Sequence, residues 1–282
     1  MSSLPVVLGF GLSDVTGATG VQADVLAVAS MGCHLASVIT AVSTTGSARD
    51  DDWLALDEDL IEHQGQAVLQ NMPVAAFKVG AIGSIDQLQP IAAILADFDS
   101  VPVVLDPIID RAIDEDDAAD FAAGLRELLI PQTTVVTLSL ARARRWIGLT
   151  DEQEHRAEMP ASACAREILG WGCEFVLITD AEPGSEQIVH ALYDDTGLVR
   201  SDRMPRLDVA TPRICGMGDT LSGALAGLLA QGLDVPEAIQ EASQYMAAAV
   251  LHAFHAGIGV AIPDRLFWAG EDENDDDESE EH

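Results

Sequence analysis

Short apolar runs rich in β-branched residues recur along the chain at Val6–Phe10, Ala36–Val42, Ala75–Val79, Val101–Leu105, Thr133–Leu138 and Phe175–Thr179. Such runs alternating with stretches of helical period predict parallel strands joined by crossover helices. In Gly20–Met31 the residues Val21, Val25 and Val28 share one face, as do Leu221, Leu225, Leu228 and Leu229 after Gly218. Both segments predict helices packed on a sheet. Asp234-Val-Pro-Glu237 combines a capping acid, an early proline and a glutamate at the third helical position, which predicts a helix from about Val235 to His255, with exit at Gly257 and Gly259. Gln187–Asp195, followed by Gly197, predicts a strand and turn added antiparallel to the sheet. The expectation is an α/β fold with a mainly parallel central sheet. No internal repeat or polar linker divides residues 1–270, which are expected to form a single domain.

Charge narrows the classes of function. Lys+Arg number 14 against 47 Asp+Glu, a formal net charge of −33 over 282 residues, and Lys78 is the only lysine. Such a surface repels phosphodiester backbones and anionic lipid, so neither nucleic acid nor membrane is expected as a partner. Residues 271–282 are acidic and almost without apolar side chains, and are expected to form a disordered tail. The four cysteines form no CxxC pair, and the apolar N-terminal run lacks a basic flank and the length to span a bilayer. Both features point to a reduced, cytoplasmic protein.

The strongest chemical signal is Cys215-Gly-Met-Gly-Asp-Thr-Leu-Ser-Gly223, a glycine-rich turn running into a helix. The amides of Gly216, Met217 and Gly218 can converge there on an anion, reinforced by the positive end of the helix dipole. Asp219 then either accepts a proton from a substrate hydroxyl beside that anion hole or merely caps the helix. A second signal, Ser13-Asp-Val-Thr-Gly-Ala-Thr-Gly-Val-Gln-Ala-Asp24, leaves the first strand at the end where open α/β sheets bind ligands, yet it is not a dinucleotide fingerprint. Taken alone, Asp24 reads as an exposed acid in the first helical turn. Asp106, in Leu105-Asp-Pro107, either holds hydrated Mg²⁺ or terminates a strand. Lys78 either meets a phosphate or snorkels at the surface. His252 and His255 have no companion ligand in metal-binding spacing.

In this order, SDxxGxxGxQAD, Met31-Gly-Cys through Ser37-Val-Ile-Thr-Ala41, Lys78-Val-Gly80, Leu105-Asp-Pro107 and Gly216-Met-Gly-Asp-Thr-Leu-Ser-Gly223, the chain resembles the hydroxymethylpyrimidine/phosphomethylpyrimidine kinases of thiamine biosynthesis. These belong to the ribokinase-like superfamily, and the resemblance runs from roughly Leu4 to Pro263. It implies a three-layer α/β/α sandwich, a homodimer, and ATP- and Mg²⁺-dependent phosphorylation of 4-amino-5-hydroxymethyl-2-methylpyrimidine and then of its monophosphate. By the same resemblance Asp24 touches the pyrimidine, Gly216–Asp219 form the anion hole and base, and Thr137 and Thr179 lie on the nucleotide side; Asp106, from its place at the end of a strand, is the expected metal-facing carboxylate. Asp219 stands where these kinases often carry cysteine and related sugar and pyridoxal kinases carry their aspartate base. Thr45 replaces the pyrimidine-reading glutamine and Ala81 the ring-packing methionine. Arg142 replaces the glutamate of the Thr-Pro-Asn-x-x-Glu motif, and Thr179-Asp-Ala181 replaces Lys-Gly-Gly. These departures leave two alternatives beside the pyrimidine kinase. One is a weakened relative that binds a pyrimidine or its phosphate as a sensor or partner; the other is a kinase of pyridoxal or a similar hydroxymethyl heterocycle.

Overall fold

A computed structural model describes residues 4–43, 53–109, 115–150, 158–206, 214–257 and 260–273. The strands are β1 (Val6–Ser13), β2 (His34–Ser43), β3 (Trp53–Ala55), β4 (Val74–Val79), β5 (Val103–Leu105), β6 (Val135–Ser139), β7 (Phe175–Thr179), β8 (Gln187–Asp194) and β9 (Gly197–Pro205). They form one sheet in the order β3-β2-β1-β4-β5-β6-β7-β8-β9. The six strands from β2 to β7 are mutually parallel, while β3, β8 and β9 add antiparallel at the two edges.

Each central strand sends alternate side chains to opposite faces, so both faces are apolar and both must be covered. Val7, Ala76, Val104, Val135 and Leu177 pack with Val28, Leu221, Leu225 and Ile239. These come from α1 (Gly20–Ser30), α7 (Met217–Ala230) and α8 (Val235–Leu251). On the other face Leu8, Phe10, Phe77, Leu105 and Val136 pack with Ile61, Ile91, Phe121, Trp146 and Ile168. That layer is α2 (Glu58–Leu69), α3 (Leu88–Ala96), α4 (Glu115–Gly124), α5 (Leu140–Thr150) and α6 (Ala161–Leu169). Each buried Leu or Phe contributes roughly 1.5–3 kcal/mol. The product is the three-layer α/β/α sandwich.

The order of the sheet matters for function because it reverses at β1, whose parallel neighbours are β2 on one side and β4 on the other. At such a switch point the loops leaving the carboxyl ends of adjacent strands diverge to opposite faces, which opens a crevice above the sheet. Residues 14–19, Gly80–Gly83, Asp106 and Thr179–Asp180 all leave strands at that end.

The structure departs from the sequence expectations at the margins. β3 and β9 were not predicted; β9 mixes Arg200, Asp202 and Arg203 with exposed Leu198 and Val199, and such charge on an edge strand opposes edge-to-edge pairing. α8 stops at Leu251 rather than His255, because Phe254 turns to pair with Ile262 through two backbone hydrogen bonds of 2.9 Å. The segment expected to be disordered begins inside a 3₁₀ helix, Phe267–Glu273. Aromatic contacts tie that helix down: Phe267 stacks on His252 with ring centroids 5.3 Å apart, and the Trp268 indole donates to Ser30 Oγ. Residues 274–282 of the expected tail lie outside the described residues. Among the described residues, no helix is long and apolar enough to cross a membrane.

His190 on β8 is buried against Ser243 of α8, with its Nδ1 3.2 Å from the hydroxyl. Burial pushes the imidazole down from 6.5 to about 4, so the unfolded chain binds a proton that the fold rejects. Stability from this site is therefore complete above pH 6.5 and is lost as pH falls toward 4. His190→Gln is expected to flatten the fall of Tm between pH 6.5 and 4; a fall as steep as that of the parent would contradict this.

Candidate active site

Residues 14–19, between β1 and α1, are organised by Asp14, whose buried carboxylate accepts from the backbone N–H groups of Thr16 (2.9 Å) and Thr19 (3.0 Å) and from both threonine hydroxyls. Gly20 closes the turn at φ 63°, where an added Cβ would lie 2.1 Å from the Leu12 carbonyl oxygen. The carboxylate and glycines of this motif are thus committed to shaping the loop.

The loop meets the start of α7. Gly216 has φ 87°, and a Cβ there would sit 1.9 Å from the Ala18 carbonyl oxygen, so only glycine permits the approach. Arg265, almost fully buried, holds the two segments together. It donates to Thr220 Oγ1 (2.9 Å), Ala18 O (2.7 Å) and Gly216 O (3.2 Å). With the Gly216 carbonyl engaged by Arg265 and Thr220, the backbone turns so that α7 begins at Met217. A helix leaves its first amides without intrahelical acceptors. Among the described residues, no carbonyl accepts from the amides of Gly216, Met217 or Gly218. Those donors are therefore left without a carbonyl partner.

Two cavities open at this point. The smaller, about 230 Å³, is lined by Asp14, Trp53, Ala81, Asp106, Arg142 and Asp219 among others. The larger, about 570 Å³, is mainly apolar and includes Ser139, Thr179, His190, Met204, Met246 and Val250. Ile214, Met217 and Gly218 line both. The open end of α7 therefore stands at the junction of two binding spaces, a place suited to moving a charged group from one to the other.

The carboxylates under and beside the smaller cavity are coupled through Lys78. Its Nζ lies 2.8 Å from Asp24 Oδ2 and 3.4 Å from Asp219 Oδ1. Burial pushes Asp24 up to about 7, opposed by the ammonium beside it. Burial alone would lower Lys78, but the surrounding carboxylates Asp24, Asp219 and Asp106 outweigh it and hold the ammonium above its ordinary range. Asp106 accepts from Ser222 Oγ at 3.0 Å and stands 3.9 Å from an Arg142 guanidinium nitrogen. Burial raises the Asp106 carboxyl, and Lys78 lowers it.

Most, but not all, of the candidate residues converge. Asp219, Gly216, Met217, Gly218, Asp106 and Ala81 line the smaller cavity and Thr179 the larger. Asp24 does not: it is fully buried behind Lys78 rather than exposed or at the cavity surface, because α1 enters the core directly after Gly20. Lys78 likewise is buried rather than snorkelling. Thr137 lines neither cavity; at about 3.3 Å per residue it sits two positions beneath the end of β6, and Ser139 reaches the larger cavity in its place. Thr45 lies outside the described residues. Asp180 takes φ 49°, a conformation that glycine adopts freely and aspartate tolerates, and its carboxylate accepts from Arg206 at 2.5 Å. Arg265 and His190 were missed. For the former, the sequence Ile262-Pro-Asp-Arg-Leu-Phe267 offers only an arginine beside Asp264 between apolar residues.

Comparisons with known proteins bear on the family and the fold. The family model for phosphomethylpyrimidine kinase matches residues 14–263. A hydroxymethylpyrimidine/phosphomethylpyrimidine kinase of Streptomyces coelicolor is 30% identical over 268 residues, covering 95% of this chain and 96% of the relative. A pyridoxine kinase of Bacillus subtilis is 28% identical, covering 86% and 89%. The crystal structure of an ADP complex of Bacillus subtilis pyridoxal kinase superposes with a TM-score of 0.78 at 25% identity, covering 93% of this chain and 98% of that one. With a family match spanning most of its length and a relative 30% identical over 95% of it, the chain belongs to the phosphomethylpyrimidine kinase family.

Proposed function

We propose that the protein transfers the γ-phosphoryl group of ATP to the hydroxymethyl group of 4-amino-5-hydroxymethyl-2-methylpyrimidine, or to the phosphate of its monophosphate. The observation that carries this is the sharing of Met217 and Gly218 between the two cavities, with Asp219 facing the smaller alone. The larger cavity has the volume of a nucleotide-sized site and an apolar wall for a base, with hydroxyls of Ser139 and Thr179 at one side. The smaller one receives the alcohol beside Trp53 and Ala81.

For the alcohol, the substrate oxygen attacks the γ-phosphorus, the bond between that phosphorus and the β–γ bridging oxygen breaks, and ADP leaves with the electron pair. Asp219 takes the hydroxyl proton. The amides of Gly216–Gly218 donate to the transferring group and stabilise charge in place, without reorganisation at the moment of reaction. Arg142, lining the smaller cavity, adds a fixed positive charge nearby. Asp106 offers one cavity-facing carboxylate, and no group of three potential ligands occurs among the described residues. That suits Mg²⁺, which keeps waters and phosphate oxygens as most of its ligands. Held by Asp106, it would supply charge neutralisation at the nucleotide phosphates.

A second alcohol is favoured by Ala81 and Asp219 together: a small side chain at the pocket wall and a carboxylate base accommodate a pyridoxal-type hydroxymethyl ring. ADP release with hydroxymethylpyrimidine, its monophosphate and pyridoxal, each with and without Mg²⁺, tests the assignment. Turnover with a pyrimidine is expected to exceed that with pyridoxal and to require Mg²⁺; turnover with pyridoxal alone would reassign the substrate, and none with any alcohol would refute the kinase. Asp219→Asn is expected to lower kcat by about 10²–10⁴-fold with the fold intact, and parent-like rates would remove Asp219 from the mechanism. Gly216→Ala is expected to lose both thermal stability and turnover, since its Cβ collides with Ala18; a parent-like Tm and rate would show that the left-handed turn is dispensable.

A further inference from the structure

The chain contains a single lysine, and the fold places it where a charge is hardest to keep. Lys78 lies at the end of β4, fully buried beneath the smaller cavity, with Asp24 of α1 on one side and Asp219 of α7 on the other. Asp106, after β5, and Arg265 complete the charged surroundings. Desolvation offsets most of the attraction in a buried ion pair, so an apolar pair of similar volume would serve stability as well. Stability alone does not account for it.

Glycines clear the space. A Cβ on Gly80 would lie 2.6 Å from Lys78 Nζ, and one on Gly223 would lie 3.3 Å from Asp24 Oδ1. The latter oxygen has no hydrogen-bond partner, so Asp24 is bound through Lys78 and not through a network of its own. Lys78 in turn engages one oxygen of Asp219, Oδ1, and leaves the other without a bond to it.

We propose that the Asp24–Lys78 pair is a positioning device for Asp219: Asp24 locks the lysine, and the lysine fixes one oxygen of Asp219 so that the other is presented to the substrate hydroxyl. Neither partner exchanges a proton in this role; the hydroxyl proton ends on Asp219. Burial holds Asp24 above its ordinary range and the ammonium opposes this, which is consistent with a carboxylate whose main partner is Lys78. The inference rests on the kinase assignment above and adds a role for two residues that touch neither cavity.

The test compares the full chain with Asp24→Asn and with Asp24→Asn/Lys78→Met. Lys78→Met alone leaves the Asp24 carboxylate buried without its cation and is expected to lower Tm by roughly 10 °C. The double variant removes both charges and is expected to regain most of that loss. Its kcat should nevertheless stay about 100-fold below the parent, with KM for alcohol and for ATP within about threefold. Asp24→Asn, which keeps the lysine and a hydrogen-bonding partner, should lose kcat about tenfold at unchanged KM. A double variant that recovers kcat along with Tm would reduce the pair to a structural role and overturn the proposal, as would a loss carried by KM. Should the double variant fail to fold, an unchanged kcat in Asp24→Asn overturns it equally. A parent inactive on every alcohol refutes the kinase assignment and this role with it; an active parent with unaffected variants refutes the role alone.

Discussion

The first turn of α7 must point its amides into open space, and everything at the site depends on that constraint. A helix start buried against its own protein would have its donors satisfied by carbonyls and could bind nothing. Here the left-handed turn at Gly216 and the guanidinium of Arg265 bring residues 14–19 against the preceding carbonyl while leaving the donors forward. The sheet supplies the space: its order reverses at β1, the loops part, and two cavities meet where α7 begins. Unpaired helix amides, a carboxylate and two cavities meet at one helix terminus set at one switch point.

Charge at the site is balanced against a strongly acidic background. Of the cations available to a chain of net charge −33, Lys78 and Arg265 are buried within the framework and Arg142 lies in the cavity wall. At the site Lys78, Arg142, Arg265 and the helix amides stand against the carboxylates of Asp14, Asp24, Asp106 and Asp219, and buried groups of this kind are screened less by salt than surface charges.

The six parallel strands were legible because burial on both faces leaves short, mostly apolar runs, broken only at positions such as Ser37 and Lys78. β9 was not, because Arg200, Asp202 and Arg203 give an edge strand the look of a loop. At the site, Gly216, Gly218 and Asp219 were readable since the turn and the helix start are neighbours in sequence. Asp24 and Lys78 were misjudged for the opposite reason: their pairing spans 54 residues and depends on how α1 and β4 pack. Arg265 reaches Ala18 across 247 residues, and no local pattern records that. Thr137 and Ser139 differ only in height along β6, which a motif match does not resolve.

The most direct measurement is a crystal structure of the protein with ADP, Mg²⁺, tetrafluoroaluminate as a mimic of the transferring phosphoryl group, and hydroxymethylpyrimidine. The account predicts the mimic within about 2.7–3.1 Å of the amides at residues 216–218, the pyrimidine hydroxyl against Asp219, and the nucleotide base in the larger cavity. A mimic bound away from α7, or an alcohol that approaches it from a side Asp219 does not reach, would contradict it.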